Sequence, residues 1–215
     1  MPTDGPSAPA EHVRRFVIIG QTALGSASFS LDDLASSSGR LDVLLRCVRA
    51  ALLVSHGLRR EVLVYLVLRG GGRSRVLRID GRSAKFLRPD ERSLATLLRK
   101  TLAAGGAVSG EPSAVSREFE VVRPGLALCE GDLEQVLGDV GDAPRYILDE
   151  RGADVRTYAL ASDDGVFFLG DHLGFDETTL ARLRDCPRLS VGPVSLHSED
   201  VVTLLSNELD RRALS

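Results

Sequence analysis

The segment Gly165-Val166-Phe167-Phe168-Leu169-Gly170-Asp171-His172-Leu173-Gly174 constrains the fold most. Its apolar run shows no polar alternation, so both faces need cover, as in the centre of a parallel sheet. A glycine turn follows, and Asp176-Glu177-Thr178-Thr179 opens a helix that runs to about Leu183. Strand, glycine turn and helix in succession present backbone N–H groups at the carboxyl edge of a sheet. The unit recurs once. Arg188-Leu189-Ser190-Val191 is a short strand, Gly192-Pro193 a turn, and Ser198-Glu199-Asp200 opens the last helix. Either both are ordinary strand-to-helix connections, or together they build a site.

The remaining chain follows the same alternation. Arg15 to Ile19 is a buried strand, and Ser30 to Leu34 forms at most a single turn. Leu41, Leu44, Leu45, Val48 and Leu52 recur at helical spacing and predict a core-facing helix that Gly57 ends. Glu61 to Leu68 is a second central strand. Arg75 to Ile79 alternates like an edge strand, with Ser83 to Leu87 as its candidate partner. Pro89-Asp90-Glu91 starts a helix that ends at Gly105, and Gly105 to Pro124 is punctuated like a linker or long loop. A brief strand at Gly125–Cys129, a short helix at Asp132–Leu137 and a strand at Tyr146–Asp149 follow, the last closed by a turn at Glu150-Arg151-Gly152. The fold class is α/β, a mostly parallel sheet with helices on both faces. Residues 1–12, rich in Pro, Ser and Ala without an apolar core, read as a disordered extension rather than a signal peptide. Residues 13–215 read as one domain.

Several function classes drop out. No apolar run reaches the length of about 20 residues that a membrane span needs. Arg69-Gly70-Gly71-Gly72-Arg73 lacks the Lys-Ser/Thr of a phosphate loop, and no helix follows it. Cys47, Cys129 and Cys186 have no metal-ligand spacing and leave an odd thiol, which suits a reducing cytoplasm; no metal site is expected. Charge is uneven. Residues 1–105 hold 17 Lys/Arg against 9 Asp/Glu, a balance of +8, and residues 106–215 hold 10 against 21, a balance of −11. A basic front half suits an anionic partner, or arginines that simply coat solvated faces.

Ser38-Gly39-Arg40-Leu41-Asp42-Val43-Leu44-Leu45-Arg46-Cys47, Ser55-His56-Gly57-Leu58-Arg59-Arg60 and Pro89-Asp90-Glu91-Arg92 stand in register with Gly170-Asp171-His172-Leu173-Gly174, Leu189-Ser190-Val191-Gly192 and Ser206-Asn207-Glu208-Leu209-Asp210. In these segments, from about residue 14 to 212, the chain resembles the tRNA pseudouridine nitrogen-1 methyltransferases, the TrmY family of the SPOUT class. That resemblance implies a trefoil knot, here over about 144–212. It also implies S-adenosyl-L-methionine held by three loops: the turn at Leu148, the turn at Gly170 and Asp171, and Leu189, Ser190, Val191, Gly192, Pro193 and Val194 with Val201 of the last helix. Some members place a cysteine where this chain has Val201, so no thiol is required for chemistry here.

The implied acceptor is nitrogen-1 of pseudouridine, most naturally at position 54 of the tRNA T-loop. That nitrogen carries a proton at neutral pH, so a carboxylate base is expected nearby. Asp42, beside Arg40, is the first candidate, although an acid near a helix N-terminus is also favourable for the dipole alone. Asp80 and Asp90 are reserves, and Asp171 serves the cofactor loop or folds back on its own turn. Arg46, Arg59 and Arg60 are expected to meet RNA phosphates. Apolar residues on more than one side of the helices at 41–54 and 200–212 suggest a homodimer. The alternatives are an RNA-binding relative without chemistry and a methyltransferase for another pseudouridine, in rRNA. Gly170→Val or Gly192→Val is expected to remove cofactor binding with the fold retained.

Overall fold

The computed structural model describes residues 13–105, 117–161 and 164–214. The extension expected over 1–12, and the part of the linker over 106–116, lie outside them. One eight-stranded sheet runs through the chain in the order β10-β8-β9-β1-β4-β5-β7-β6. Its parallel part consists of β10 (Arg188–Ser190), β8 (Arg145–Asp154), β9 (Val166–Gly170), β1 (Arg14–Leu24) and β4 (Val62–Gly70). Its antiparallel part adds β5 (Arg75–Asp80), β7 (Leu126–Glu130) and β6 (Glu120–Arg123). The helices are α1 (Leu34–Ser37), α2 (Leu41–Leu52), α3 (Glu91–Ala104), α4 (Leu133–Val140), α5 (Glu177–Arg182) and α6 (Ser198–Arg212). A two-residue hairpin pair, β2 (Leu53–Val54) and β3 (Gly57–Leu58), closes the end of α2.

The period of two in the central strands splits the core into two layers. Phe16, Ile18, Val64, Leu66, Phe167 and Leu169 face one side, where α2, α3 and α6 cover them. Val17, Ile19, Tyr65, Val67, Val166 and Phe168 face the other, under α4 and Leu183. Both sides of β1 and β9 are therefore dry, which is why their sequences run apolar without a break. Phe167 sits between Phe16 and Tyr146 at ring-centroid distances of 5.9 and 5.4 Å, so it packs across three adjacent strands.

The antiparallel part departs from expectation. β5 is not an edge strand; it is paired on one side with β4 and on the other with β7. The residues 83–87 form no strand. The polar residues that make β5 look half-wet are covered individually. Arg75 is buried, its Nε on Glu130 at 2.9 Å and its Nη1 on the Leu102 carbonyl at 3.2 Å. Arg78 bonds Asp139 at 2.8 Å and lies over the Phe119 ring. The end of the expected linker is β6, the true edge. Among the described residues, no helix is long and apolar enough to cross a membrane.

Candidate active site

The middle of β8 and the carboxyl ends of β9 and β10 open into a cavity of about 700 Å³. Three segments wall it: residues 148–151, residues 169–175, and the stretch from Leu189 to Val201. Each has a local cause. In β8, Ile147 pairs with Arg188 and Ala153 with Leu189, so residues 148–152 bulge out of the ladder, and 148–151 of them line the cavity. The turn expected at Glu150–Gly152 is thus an interruption within the strand, which resumes to Asp154. After β9 the chain doubles back, and Asp171 and Gly174 form an isolated bridge. After β10, Ser190 Oγ donates to the Gly192 carbonyl at 2.6 Å and accepts from the Gly192 N–H at 3.1 Å, which fixes the last turn.

Of the residues expected around a cofactor, Leu148, Gly170, Asp171, Leu189, Val191, Gly192, Val194 and Val201 line this cavity. Ser190 and Pro193 do not; Ser190 acts from behind the wall by holding the turn. Asp171 is also a holding residue. Its Oδ1 accepts from the Leu173 N–H and its Oδ2 from the Gln21 N–H, both at 2.8 Å, tying the loop to itself and to β1. Gln21 in turn bonds the Gly174 carbonyl at 3.1 Å, and Arg69 holds the Gln21 side chain at 3.0 Å. Ser198, which donates to the Gly170 carbonyl at 2.9 Å, pins the start of α6 across the end of β9. Sequence spacing could not show Gln21, Arg69 or Ser198 in these roles, because their partners lie 28 or more positions away.

The two glycines differ. A Cβ at Gly192 would meet nothing within 4 Å, so that position opens directly into the cavity. A Cβ at Gly170 would lie 2.6 Å from the Gly174 backbone, so Gly170→Val would force the loop itself apart. A side chain at position 192 thus meets no backbone, whereas the expectation of a retained fold is corrected for position 170. The open side of Gly192, the apolar walls of Leu148, Leu189, Val191 and Val201, and the polar backbone turns at both ends fit an adenosine-bearing ligand.

Beside the cavity, α2 begins under constraint. Gly39 and Arg40 are both left-handed, at φ 66° and 67°. A Cβ on Gly39 would stand 1.8 Å from the Thr22 carbonyl oxygen, so only glycine fits there. Arg40 carries the same conformation at a cost of about 1 kcal/mol or more. The turn brings its guanidinium onto Asp42, with Nε to Oδ1 at 2.9 Å and Nη2 to Oδ2 at 3.1 Å. Arg46, one turn on, donates to Asp42 Oδ2 at 3.0 Å and to Glu199 Oε1 at 2.7 Å. Glu199 stands in the first turn of α6 next to Ser198, so this bridge joins the α2 start to the cavity wall. Burial pushes the Asp42 carboxyl up, but the hydrogen bonds and charges of Arg40 and Arg46 outweigh it and hold it below the usual range.

Arg59 and Arg60 lie elsewhere. α2 has 12 residues, about 18 Å of helix, and both arginines follow its far end. Arg59 bonds Asp210 at 2.7 Å, and Arg60 bonds the carbonyls of Gly81 and Arg82 at 3.2 and 2.8 Å. Of the reserve acids, Asp80 caps its own turn through the Arg82 N–H at 2.9 Å, and Asp90 caps α3 through the Ser93 N–H at 2.8 Å. Among the described residues no group of His, Cys, Asp and Glu is arranged to hold a metal ion. Cys47 and Cys129 are buried and unpaired, and Cys186 is part-buried.

A testable consequence concerns Asp42. Its folded-state pKa is depressed, so its stabilisation is complete above the ordinary carboxylate value near 4 and disappears as pH falls through the lower folded value. Asp42→Asn should lose about 1–3 kcal/mol in urea unfolding at pH 7, and the gap to wild type should narrow below about pH 4. A gap that stays constant down to pH 3 would contradict the ion-pair assignment.

A family model described as "Putative SAM-dependent RNA methyltransferase" matches residues 13–214. The tRNA (pseudouridine(54)-N(1))-methyltransferase of Methanosarcina mazei is 40% identical over 205 residues, covering 93% of this chain and 92% of that one. The enzyme of the same name from Methanococcoides burtonii is 37% identical over 205 residues, covering 93% and 96%. That from Halobacterium salinarum is 39% identical over 200 residues, covering 92% and 96%. In fold, the chain is similar to Archaeoglobus fulgidus Nep1 bound to S-adenosylhomocysteine, at TM-score 0.65 and 14% identity over 96% of this chain and 100% of that one. A match that begins at β1 and ends after α6 takes in every element that builds the cavity, and by it the chain belongs to the S-adenosylmethionine-dependent RNA methyltransferases, in the tRNA (pseudouridine(54)-N(1))-methyltransferase family.

Proposed function

We propose that this chain methylates nitrogen-1 of pseudouridine at position 54 of tRNA. The observation that carries the reading is the cavity built from the interruption within β8 and the loops at the carboxyl ends of β9 and β10, with the Asp42 carboxylate anchored beside its wall. S-adenosyl-L-methionine, when bound there, supplies an already activated methyl group. Leu148, Leu189, Val191 and Val201 would enclose the base, the turn at Gly192 would leave room for it, and the clasped Gly170–Gly174 loop would keep the wall rigid. The chain's contribution is then position and the removal of water.

Asp42 takes the proton role in this reading, and Arg40 holds it in place. A carboxylate kept below the usual range is a weak base. It takes a proton readily only once methylation has made the nitrogen acidic, so proton loss accompanies or follows methyl arrival. Arg46 is the RNA contact at this end of α2, while Arg59 and Arg60 stand too far along the molecule to serve the same cavity.

A homodimer would bring Arg59 and Arg60 to a partner's RNA. Val43 is buried within the chain and Ala50 packs on its own core, so neither offers a partner an apolar face. What supports the dimer is the apolar surface near the cavity mouth: Leu173, Val194, Leu196 and Leu204 are all exposed. The return of the chain from β10 across the end of β9, where Ser198 bonds Gly170, supports a knot over about 144–212. The single sheet through 14–190 supports one domain from residue 13 onward, and the reading places it in the cytoplasm with tRNA.

The direct test incubates the protein with S-adenosyl-L-methionine and a T-arm RNA carrying pseudouridine or uridine at position 54, with nucleosides read by mass spectrometry. Methyl transfer to the pseudouridine RNA alone is the expected result; cofactor binding without transfer to either would point to a relative that has lost the chemistry. Gly192→Val should weaken cofactor binding in calorimetry at least tenfold while the unfolding midpoint stays near wild type, since the added methyls enter only the cavity. In sedimentation at micromolar concentration the active species should have twice the chain mass of 23.1 kDa. Full activity in a monomer would remove the dimer from the reading.

A further inference from the structure

Phe86 lies outside everything described above. It is 82% exposed, and its backbone is left-handed at φ 65°. Apart from Arg40 at the active site, it is the non-glycine residue in that region among the described residues. Glycine would take this conformation without strain, so an aromatic ring displayed to water at this point gains nothing for folding.

The loop that carries it is rigidly held on both sides. Ala84 is buried, and its N–H donates to the Asp80 carbonyl at 2.8 Å. Leu87 packs against the core under α2 and α3. Arg60 straps the base of the loop through the Gly81 and Arg82 carbonyls. Between these anchors Phe86 projects with exposed Lys85 and Arg88 beside it. Nearby acids are engaged. Asp80 and Asp90 cap their turns, and Glu91 faces Arg46 at 3.8 Å. The charged side chains that flank the ring in the chain, Lys85 and Arg88, are both cationic and exposed.

We propose that Phe86 is a stacking platform for an unpaired nucleobase of the RNA substrate, with Lys85 and Arg88 meeting the adjacent phosphates. The inference rests on the RNA-methyltransferase reading and deepens it by naming a contact outside the cavity. A flat, exposed ring accepts the π-face of any base, and flanking cations hold the backbone without reading sequence. An RNA loop supplies unstacked bases for this, which a duplex does not. Reach is adequate. Phe86 is five residues from Glu91, at most about 18 Å of chain, and Glu91 pairs with the same Arg46 that binds Asp42.

The test compares wild type with Phe86→Ala, Phe86→Trp and Phe86→Gly, using the T-arm RNA with pseudouridine at position 54. Phe86→Ala and Phe86→Gly should each raise the KM for RNA about tenfold, with cofactor affinity as in wild type, and Phe86→Trp should restore it. Phe86→Gly should at the same time melt no lower than wild type, because it relieves the left-handed strain. Loss of RNA affinity with unchanged or higher stability separates an RNA contact from a structural role. Unchanged KM in both Phe86→Ala and Phe86→Gly, with wild type active, would overturn the platform and leave the function reading standing. A change of sedimentation in Phe86→Ala with unaltered KM would also overturn it, assigning the ring to a protein contact. A wild-type protein that neither binds nor methylates the RNA would remove both.

Discussion

The parallel pairing of β1 with β9 is the constraint on which the rest depends. Five consecutive positions, Arg15 to Ile19 against Val166 to Gly170, are in register with no irregularity. That register sets Gly170 beside Ile19 and delivers the Asp171 N–H to the Ile19 carbonyl at 3.0 Å. From there the Asp171 side chain reaches the Gln21 N–H, and the turn to Gly174 closes. A slip of one residue would put Phe167 and Leu169 on the wrong face and leave the loop without its clasp.

The same end of the sheet concentrates ionic contacts that join distant parts of the chain. Arg69 spans Asp132 and Asp176, and Arg46 spans Asp42 and Glu199. Each pair is partly exposed, so its direct contribution to stability is modest. Their effect is geometric. They fix loops that burial alone would leave loose, because the cavity between those loops cannot be filled by side chains if it is to take a ligand. The left-handed Arg40 belongs to this set. Its strained backbone is held by the Gly39 turn, which sits against Thr22 so closely that no side chain fits, and the strain aims a guanidinium at a buried carboxylate.

Much of the fold was legible along the chain. The apolar runs at 16–19, 62–68 and 166–169 mark strands covered on both faces, and the stripe from Leu41 to Leu52 marks a helix with one dry side. β5 reads as an edge along the sequence because Arg75 and Arg78 alternate with apolar residues. A buried arginine that finds a carboxylate and a carbonyl has the same letter as a solvated one. The second apolar side of α2 is ambiguous for the parallel reason: a residue that faces a partner and one that faces the chain's own core have the same letter, and Val43 is covered by the core.

Periodicities, glycine turns and family membership are legible in the linear chain, because they are properties of neighbouring residues or of whole-chain register. Through the family resemblance the sequence also names Gly170, Asp171, Leu189 and Gly192 as members of one site, and all four line the cavity. What each of them does follows from the folded arrangement. It made Gly192 open space, Gly170 a backbone contact, Asp171 a clasp and Ser190 a brace. It also divided the arginines, tying Arg46 to Glu199 beside the cavity wall and leaving Arg59 and Arg60 about a helix length away. The physical reason is that a side chain's role follows from its partners, and here those partners come from strands and helices that lie far apart in the chain and meet only when the sheet closes.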